Sequence, residues 1–400
     1  ETVIYPLMIY AFIVFLMILC IYIYDIHNST RYKYTSFYSI IFILILLNVL
    51  SYKIGGDTEV YMYRWKYDYR SIFNVPLADE IDIRSKERLG WILLTSFLKG
   101  IWDNFILLRI VLACWINMVV AYFIKKNTRY IFTVLLIYFV VSYFNYNFEI
   151  LRESISISFF LLSFSYYLNK SWLKYFLCFL VAFMFHESSL VLLLLPFFYL
   201  VNKLNSSSLF LLVSVLYIFL SSLDLVNILL SIVGSDFAFY EKLIIYMNSD
   251  IYGENTRVNP YAFIVASVLT PFISLFILKK QRGKEYLVIF ILMSILFNIL
   301  TSRVYIFYRF TNYILLPLAV AYAEVIHAFS SRFVVGKRKN IFVIPVLLFY
   351  LSYKVYNIYM GDGGTDGKFY DRYFPYSSII DKNVSSYRTH ILDQISARQM

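Results

Sequence analysis

The chain has 400 residues, 60% of them hydrophobic, 15% charged and 20% aromatic, with a formal net charge of +11 and a mean hydropathy of +0.68. A chain so apolar has no reason to face water over most of its length, which excludes a soluble globular enzyme and predicts an all-α, polytopic integral membrane protein. The basic residues fall in short loops between apolar runs, where they orient a membrane protein, so the charge points to a lipid bilayer and to no nucleic acid.

Apolar runs suited to spanning fall at 3–24, 36–54, 104–124, 130–147, 151–168, 173–186, 187–201, 209–223, 260–278, 286–302, 309–327 and 341–358. They predict about 12 transmembrane helices, within a range of roughly 10–13. The first run, Val3 to Tyr24, is too long for a cleavable signal and lacks a small-residue cleavage site. After the second run comes a charge-mixed segment, 55–103, expected to carry short amphipathic helices. Gly55 and Gly56 there allow a tight turn and a close backbone approach. Asp57, Tyr61 and Arg64 then share one face of a short helix, and 89–101 is apolar but too short to span. Within the same segment Glu80-Ile81-Asp82 reads as a solvated acidic turn, the alternative being a divalent-cation site. Cys20, Cys114 and Cys178 lie in separate apolar runs with no metal or redox spacing, so they are read as packing residues without a disulfide.

Charge in the loops sets the expected topology. Lys125-Lys126-Asn127-Thr128-Arg129, the Lys170 to Lys174 turn, Lys279 to Lys284, and Arg332 with Lys337-Arg338-Lys339 belong in the cytoplasm. The loops 55–103 and 224–259 belong outside, the second with Asp224, Asp236, Glu241, Asp250 and Glu254 against Lys242 and Arg257. The stretch from Tyr175 to Leu200 is apolar except for His186-Glu187-Ser188-Ser189. A single straight helix over it would span about 39 Å against a hydrocarbon core of about 30 Å, and one crossing would invert every later loop. Two short crossings meeting at His186 restore the topology, which predicts a broken helical hairpin there. The expected organisation is one transmembrane domain over 1–358 and an extracytoplasmic tail over 359–400. In the tail Gly361-Asp362-Gly363-Gly364 precedes an aromatic segment, read as interfacial or as a loosely ordered end.

Arg152, His186, Arg303 and Arg309 all come out on the outer side of this threading, and charge inside or beside a span marks function. Arg152 has Glu149 and Glu153 within one helical turn; it is either a local ion pair or a guanidinium held to face phosphate. Arg303 and Arg309 bracket Tyr305 and Tyr308, as lipid-headgroup anchors or as a clamp for a diphosphate with a sugar stacked beside it. His186 is either a hydrogen-bond partner between helices or a general base for an alcohol, with Glu187 or Asp57 orienting it or the acceptor. His27 and His327 lie at inner helix ends and His390 in the tail, and no pair of histidines has metal-ligand spacing.

Gly56-Asp57 with Tyr61, Glu87-Arg88-Leu89-Gly90-Trp91, Leu151-Arg152-Glu153-Ser154-Ile155, Ala182 to Ser188 around His186, and Tyr308-Arg309-Phe310 occur in this order. Together they resemble the landmarks of the EpsG/Wzy-like bacterial exopolysaccharide and O-antigen polymerases over roughly 50–330, although Glu153 departs from the small or neutral residue expected after the arginine. The resemblance implies a glycosyltransferase of the bacterial plasma membrane. It would join oligosaccharide repeat units carried on undecaprenyl diphosphate at the outer face, by metal-independent inverting transfer and without a cofactor, with a chain-length regulator as an expected partner. His186, Arg152 and Arg309 would then be catalytic, with Arg303, Asp57, Tyr61, Arg64, Glu87, Glu149, Glu187, Tyr305 and Tyr308 binding substrate. Two alternatives stay open: a metal-dependent transferase using a polyprenyl-phosphate sugar, with Glu80 and Asp82 on the cation, and a flippase for lipid-linked saccharide.

Overall fold

The computed structural model describes residues 4–197, the isolated positions 208, 211, 212, 215 and 219, and then 269–281, 283–303, 307–333, 342–361 and 366–399. The chain divides into two compact units, Glu1–Ser189 with Ser330–Met400, and Leu190–Phe329. The described residues are mainly helical, joined by turns, irregular stretches and isolated bridges, among them an antiparallel one between Ser51 and Ser378.

In the first unit α1 (Ile4–Cys20) runs on through a π-helical turn, Ile21–Ile26. Asp25 ends that run with a purpose visible in its partners. It accepts from the Thr133 backbone N–H at 2.8 Å and hydroxyl at 2.9 Å, with Lys33 Nζ 3.5 Å away. One buried carboxylate thereby ties α1 to the starts of α2 (Lys33–Val49) and α7 (Ile131–Tyr138). Between them come the short α3 (Gly56–Tyr67), α4 (Leu77–Ile83) and α5 (Leu89–Ile101), then α6 (Phe105–Asn127), whose Asn104 side chain caps the Ile106 N–H at 2.9 Å.

α7 continues through π-helical turns at Phe139–Tyr143 and Asn145–Glu149, giving a helical run of 19 residues from Ile131 to Glu149. The last turn is locked by buried amides: Asn117 Nδ2 donates to Asn147 Oδ1 at 2.9 Å, and Asn48 Nδ2 donates to the Asn147 carbonyl at 2.9 Å. Side chains of α2 and α6 therefore fix where Glu149 emerges.

α8 (Leu151–Leu168) and α9 (Trp172–Phe185) form an antiparallel hairpin that turns at Lys170, where φ is +54°. Tyr167 meets Tyr175 near the turn at 5.8 Å and Phe159 stacks on Phe185 at 6.0 Å, so Arg152 and His186 lie at the same, open end. α9 stops at His186, whose backbone is extended, and a 3₁₀ segment, Glu187–Leu194, follows. The break expected at His186 is thus present; the far part of the returning run, 198–201, lies outside the described residues.

The second unit contains α10 (Thr270–Leu278), which packs on α11 (Glu285–Arg303), and the start of α12 (Tyr308–Phe333). Lys284 Nζ pairs with Glu324 Oε1 at 2.9 Å. The first unit resumes with α13 (Val343–Tyr359) and α14 (Ser386–Gln399).

Four helices among the described residues are long and apolar enough to cross a membrane: Met8–Ile26, Phe105–Asn127, Ile131–Glu149 and Tyr308–Ser330. Shorter apolar helices occupy Lys33–Val49, Trp172–Phe185, Glu187–Phe197, Tyr286–Thr301 and Val343–Tyr359. The chain thus has the make-up of a multi-pass membrane protein, and among the described residues four of the expected spans meet the full length and composition for a crossing. Polar breaks shorten some of the others, most clearly at His186, where one apolar stretch becomes two short helices. The predicted run 209–223 and the loop 224–259 fall largely outside the described residues.

The tail is folded. Tyr52 N–H donates to the Ser377 carbonyl and Ile379 N–H to the Leu50 carbonyl, both at 2.8 Å, and Ile391, Leu392 and Ile395 are buried together. α14 packs on α3. Arg388, 1% exposed, donates from Nε to the Asp371 carbonyl at 3.2 Å and from Nη1 to Ser377 Oγ at 3.0 Å, and its Nη2 bonds the Pro375 carbonyl.

Candidate functional site

The site begins where the chain leaves α2. Gly55 has φ of +81°, and a Cβ there would sit 2.5 Å from Phe148 Cβ, so only glycine lets the backbone pass so close to the end of the α7 run. The next residue opens α3. Its N–H donates to Glu149 Oε1 at 3.0 Å, and Thr58 Oγ1 donates to the Phe148 carbonyl at 3.1 Å. A carboxylate on the first turn is favoured by the helix dipole and satisfies an N–H that would otherwise lack a partner. Glu149 is shared further: Arg372 Nη1 donates to Oε2 at 3.1 Å and Tyr373 OH to Oε1 at 2.8 Å.

Asp57, Tyr61 and Arg64 follow at helical spacing, on the side of α3 that meets α5 and α8. Tyr61 is buried, its ring 5.0 Å from Trp91, and the Arg152 guanidinium lies 5.9 Å from the centre of the same ring. Burial pushes the Tyr61 phenol up to about 12; Asp57 and Glu87 push the same way, while Arg152 and Arg64 oppose them. The phenol therefore stays protonated and available as a donor. Arg64 Nη1 pairs with Glu87 Oε1 at 3.1 Å, and Tyr69 OH donates to the same oxygen at 3.2 Å. Arg152 is thus set against an aromatic face. Glu149, named beforehand as one of its two acidic flankers, is instead turned to Arg372, Tyr373 and the start of α3.

Arg84 is the hub of the neighbouring network, and sequence reading passed over it. It pairs with Glu80 Oε1 from Nη1 at 3.1 Å, reaches Glu87 Oε2 from Nε at 2.9 Å and from Nη2, and donates to Thr95 Oγ1 at 2.9 Å. Its guanidinium lies 3.7 Å from the centre of the Tyr69 ring. Glu80 is 2% exposed, so the solvated acidic turn expected at Glu80 and Asp82 is corrected. Glu80 points inward to Arg84, whereas Asp82 faces solvent. Glu80 Oε2 is enclosed without a hydrogen-bond partner, but the adjacent guanidinium makes that place hostile to a cation. Among the described residues no group of three His, Cys, Asp or Glu side chains is arranged to hold a metal.

His186 is 8% exposed. The Ser188 N–H donates to its Nδ1 at 3.2 Å, and Ser188 Oγ lies 2.5 Å from the same nitrogen. An Nδ1 that accepts from a backbone N–H leaves the proton of the neutral ring on Nε2. Accepting a proton at Nε2 requires the other tautomer, in which Nδ1–H donates to Ser188 Oγ. Ser188 holds the imidazole at Nδ1, a role the sequence reading did not give it. Glu187 Oε2 is taken by Arg88, at 3.0 Å from Nε and 2.6 Å from Nη2. This pair joins the start of α5 to the break after α9. Close packing supports it, since a Cβ on Gly90 would come within 2.9 Å of the Met184 carbonyl.

The structure therefore brings Asp57, Tyr61, Arg64, Glu87, Glu149 and Arg152 into one charged cluster, which the Trp91 and Arg88 contacts join to Glu187 and the His186 break. Tyr308 and Arg309 open α12 in the second unit, and Arg303 ends α11; the Arg303 side chain and Tyr305 fall outside the described residues. Arg84, Arg88, Ser188, Arg372 and Tyr373 are the residues sequence reasoning missed as site groups. Arg88 and Ser188 carried a signal by lying inside quoted landmarks and Arg84 by the helical spacing of its carboxylates, whereas the partner of Arg372 and Tyr373 is set by folding.

Among known proteins, a family model described as EpsG family matches residues 34–378. No curated protein matches the chain, and no solved structure does.

Proposed function

The chain belongs to the EpsG family, implicated in exopolysaccharide biosynthesis, and from that premise we propose that it is a polysaccharide polymerase of the bacterial plasma membrane. Its substrates are oligosaccharide repeat units carried on undecaprenyl diphosphate, and its site opens to the exterior or periplasm. The observation that carries this reading is the convergence of α3, α5, the start of α8 and the His186 break on one cluster, in which a guanidinium faces a buried tyrosine among carboxylates.

The chemistry needs little more. An acceptor hydroxyl oxygen bonds to the anomeric carbon of the donor as the bond from that carbon to the diphosphate oxygen breaks. The hydroxyl proton passes to His186 in its Nδ1–H tautomer, and the lipid diphosphate leaves with the electron pair. Single displacement inverts the anomeric centre. Arg152 neutralises charge growing on the leaving group, the form of stabilisation that contributes most when donors are held in place beforehand. Arg303 and Arg309 are proposed as further diphosphate ligands, with Tyr305 and Tyr308 beside the sugars. Asp57, Arg64, Glu87 and Glu187 position substrate or the groups that touch it. No metal is assigned, and a chain-length regulator is the proposed protein partner.

The test uses the reconstituted full chain with its lipid-linked repeat unit in the presence of EDTA. A ladder of polymer lengths is expected, with single units persisting on lipid in folded His186→Ala and Arg309→Ala variants. Normal polymer from those variants would remove the two residues from the mechanism. Activity only after a divalent cation is restored would favour the single-sugar transferase, and lipid-linked saccharide moved without new glycosidic bonds would favour the flippase.

A further inference from the structure

Glu149 is a carboxylate that joins three distant parts of the first unit. It accepts the Gly56 N–H at 3.0 Å at the start of α3, lies two residues before α8, and receives Arg372 at 3.1 Å and Tyr373 at 2.8 Å from the tail. The tail holds the same corner from the other side. The Arg372 carbonyl accepts the Gly55 N–H at 3.2 Å, and a Cβ on Gly56 would meet Ile395 of α14 at 2.9 Å and Glu149 Oε2 at 3.3 Å. Tyr373 is fully buried, and Arg388 braces the turns on which Arg372 and Tyr373 stand. Asp57 is an electrostatic neighbour of both Arg372 and Arg152. The tail therefore grips the first turn of the helix that carries Asp57, Tyr61 and Arg64.

We infer that the C-terminal segment is a working part of the site, and that Arg372 is a positioning residue: through Glu149 it sets the register of the first turn of α3 against Arg152. The inference rests on the polymerase reading for its consequence in turnover, but the positioning itself can be read without turnover. A helix that carries site residues shifts them all together when its first turn slips, and a misplacement of about 1 Å costs on the order of a hundredfold in rate. The neighbouring Arg84 network meets α3 at its last turn, through Arg64 on Glu87, and at Tyr69 just beyond it, away from the first turn that the tail holds.

The experiment compares the full-length protein with Arg372→Ala, Arg372→Lys and Tyr373→Phe in lipid nanodiscs. Hydrogen exchange is followed at residues 55–60, and polymerisation rate is measured against substrate concentration. In Arg372→Ala, exchange at 55–60 should rise at least about tenfold while α8 and α9 stay protected, and kcat should fall about tenfold or more with KM changed less than about threefold. Arg372→Lys, which keeps the charge but not the fork, should recover part of both; Glu149→Gln combined with Arg372→Ala should be no worse than either alone. If Arg372→Ala does not fold, Arg372→Lys and Tyr373→Phe decide the matter by the same two readouts. Unchanged exchange in a folded variant, or raised exchange with kcat intact, would overturn the inference. A wild-type chain that never polymerises lipid-linked units, with the exchange response present, would remove the polymerase reading and leave the tail's grip on α3 supported.

Discussion

The segments 55–103 and 366–399 both mix charges and both follow apolar helices, yet they neutralise their charges in different ways. In the first, Arg84 pairs with Glu80 four residues back and Glu87 three residues on, and Lys99 pairs with Asp103 at 2.9 Å. In the second, Arg372 finds Glu149, 223 residues earlier in the chain. Apart from Arg88, which reaches Glu187, the first segment can order these charges by forming short helices and the turns beside them. The tail has to wait for the helices of the first unit to assemble before its arginine has a partner. A local network therefore stabilises its own segment, and a long-range one transmits position between elements.

The largest effect should come from the local network. Arg84→Met leaves buried Glu80 without its cation and Glu87 with Arg64 in place of two, and loss of one partner of a buried pair costs about 3–5 kcal/mol. Chemical unfolding in detergent should show that loss; a change below about 1 kcal/mol would mean that the network contributes no more than a surface pair and would erase the contrast with the tail. A middle effect is expected at Gly55, where both segments touch. Gly55→Ala combines φ of +81° with a Cβ too close to Phe148, at a cost of about 1–3 kcal/mol. Thermal unfolding should record it, and exchange should rise at 55–60 as it does for Arg372→Ala. Protection left unaltered there would show that α3 is not held at this corner. The smallest effect belongs to Asp82, exposed two residues from buried Glu80: Asp82→Asn should change stability by no more than about 0.5 kcal/mol and leave polymer yield as it was. A clear fall in yield, restored by added divalent cation, would revive the metal-dependent alternative.

Composition and loop charge carried the class of protein, because a bilayer leaves a coarse signature in hydropathy that needs no tertiary information. Short-range geometry was legible as well. The close approach at Gly55, the shared face of Asp57, Tyr61 and Arg64, the short helix over Leu89–Ile101 and the break at His186 each depend on residues a few positions apart. The landmarks that led to the family are of the same local kind, and the family itself spans residues 34–378.

The partners of Glu149, Glu187 and His186 were decided only on folding. Glu149 was read as flanking Arg152 because the two are neighbours on the chain, yet its carboxylate serves the start of α3 and the tail. Glu187 was read as orienting His186 or the acceptor, and its carboxylate holds Arg88 while Ser188 bonds the imidazole. Glu80 was read as solvated and is enclosed. In each case the choice of partner follows from desolvation: a buried charge must be paired, and it pairs with whatever the packed helices bring within about 3 Å. Sequence sets which charges must be satisfied, and the packing of helices far apart in the chain determines by what.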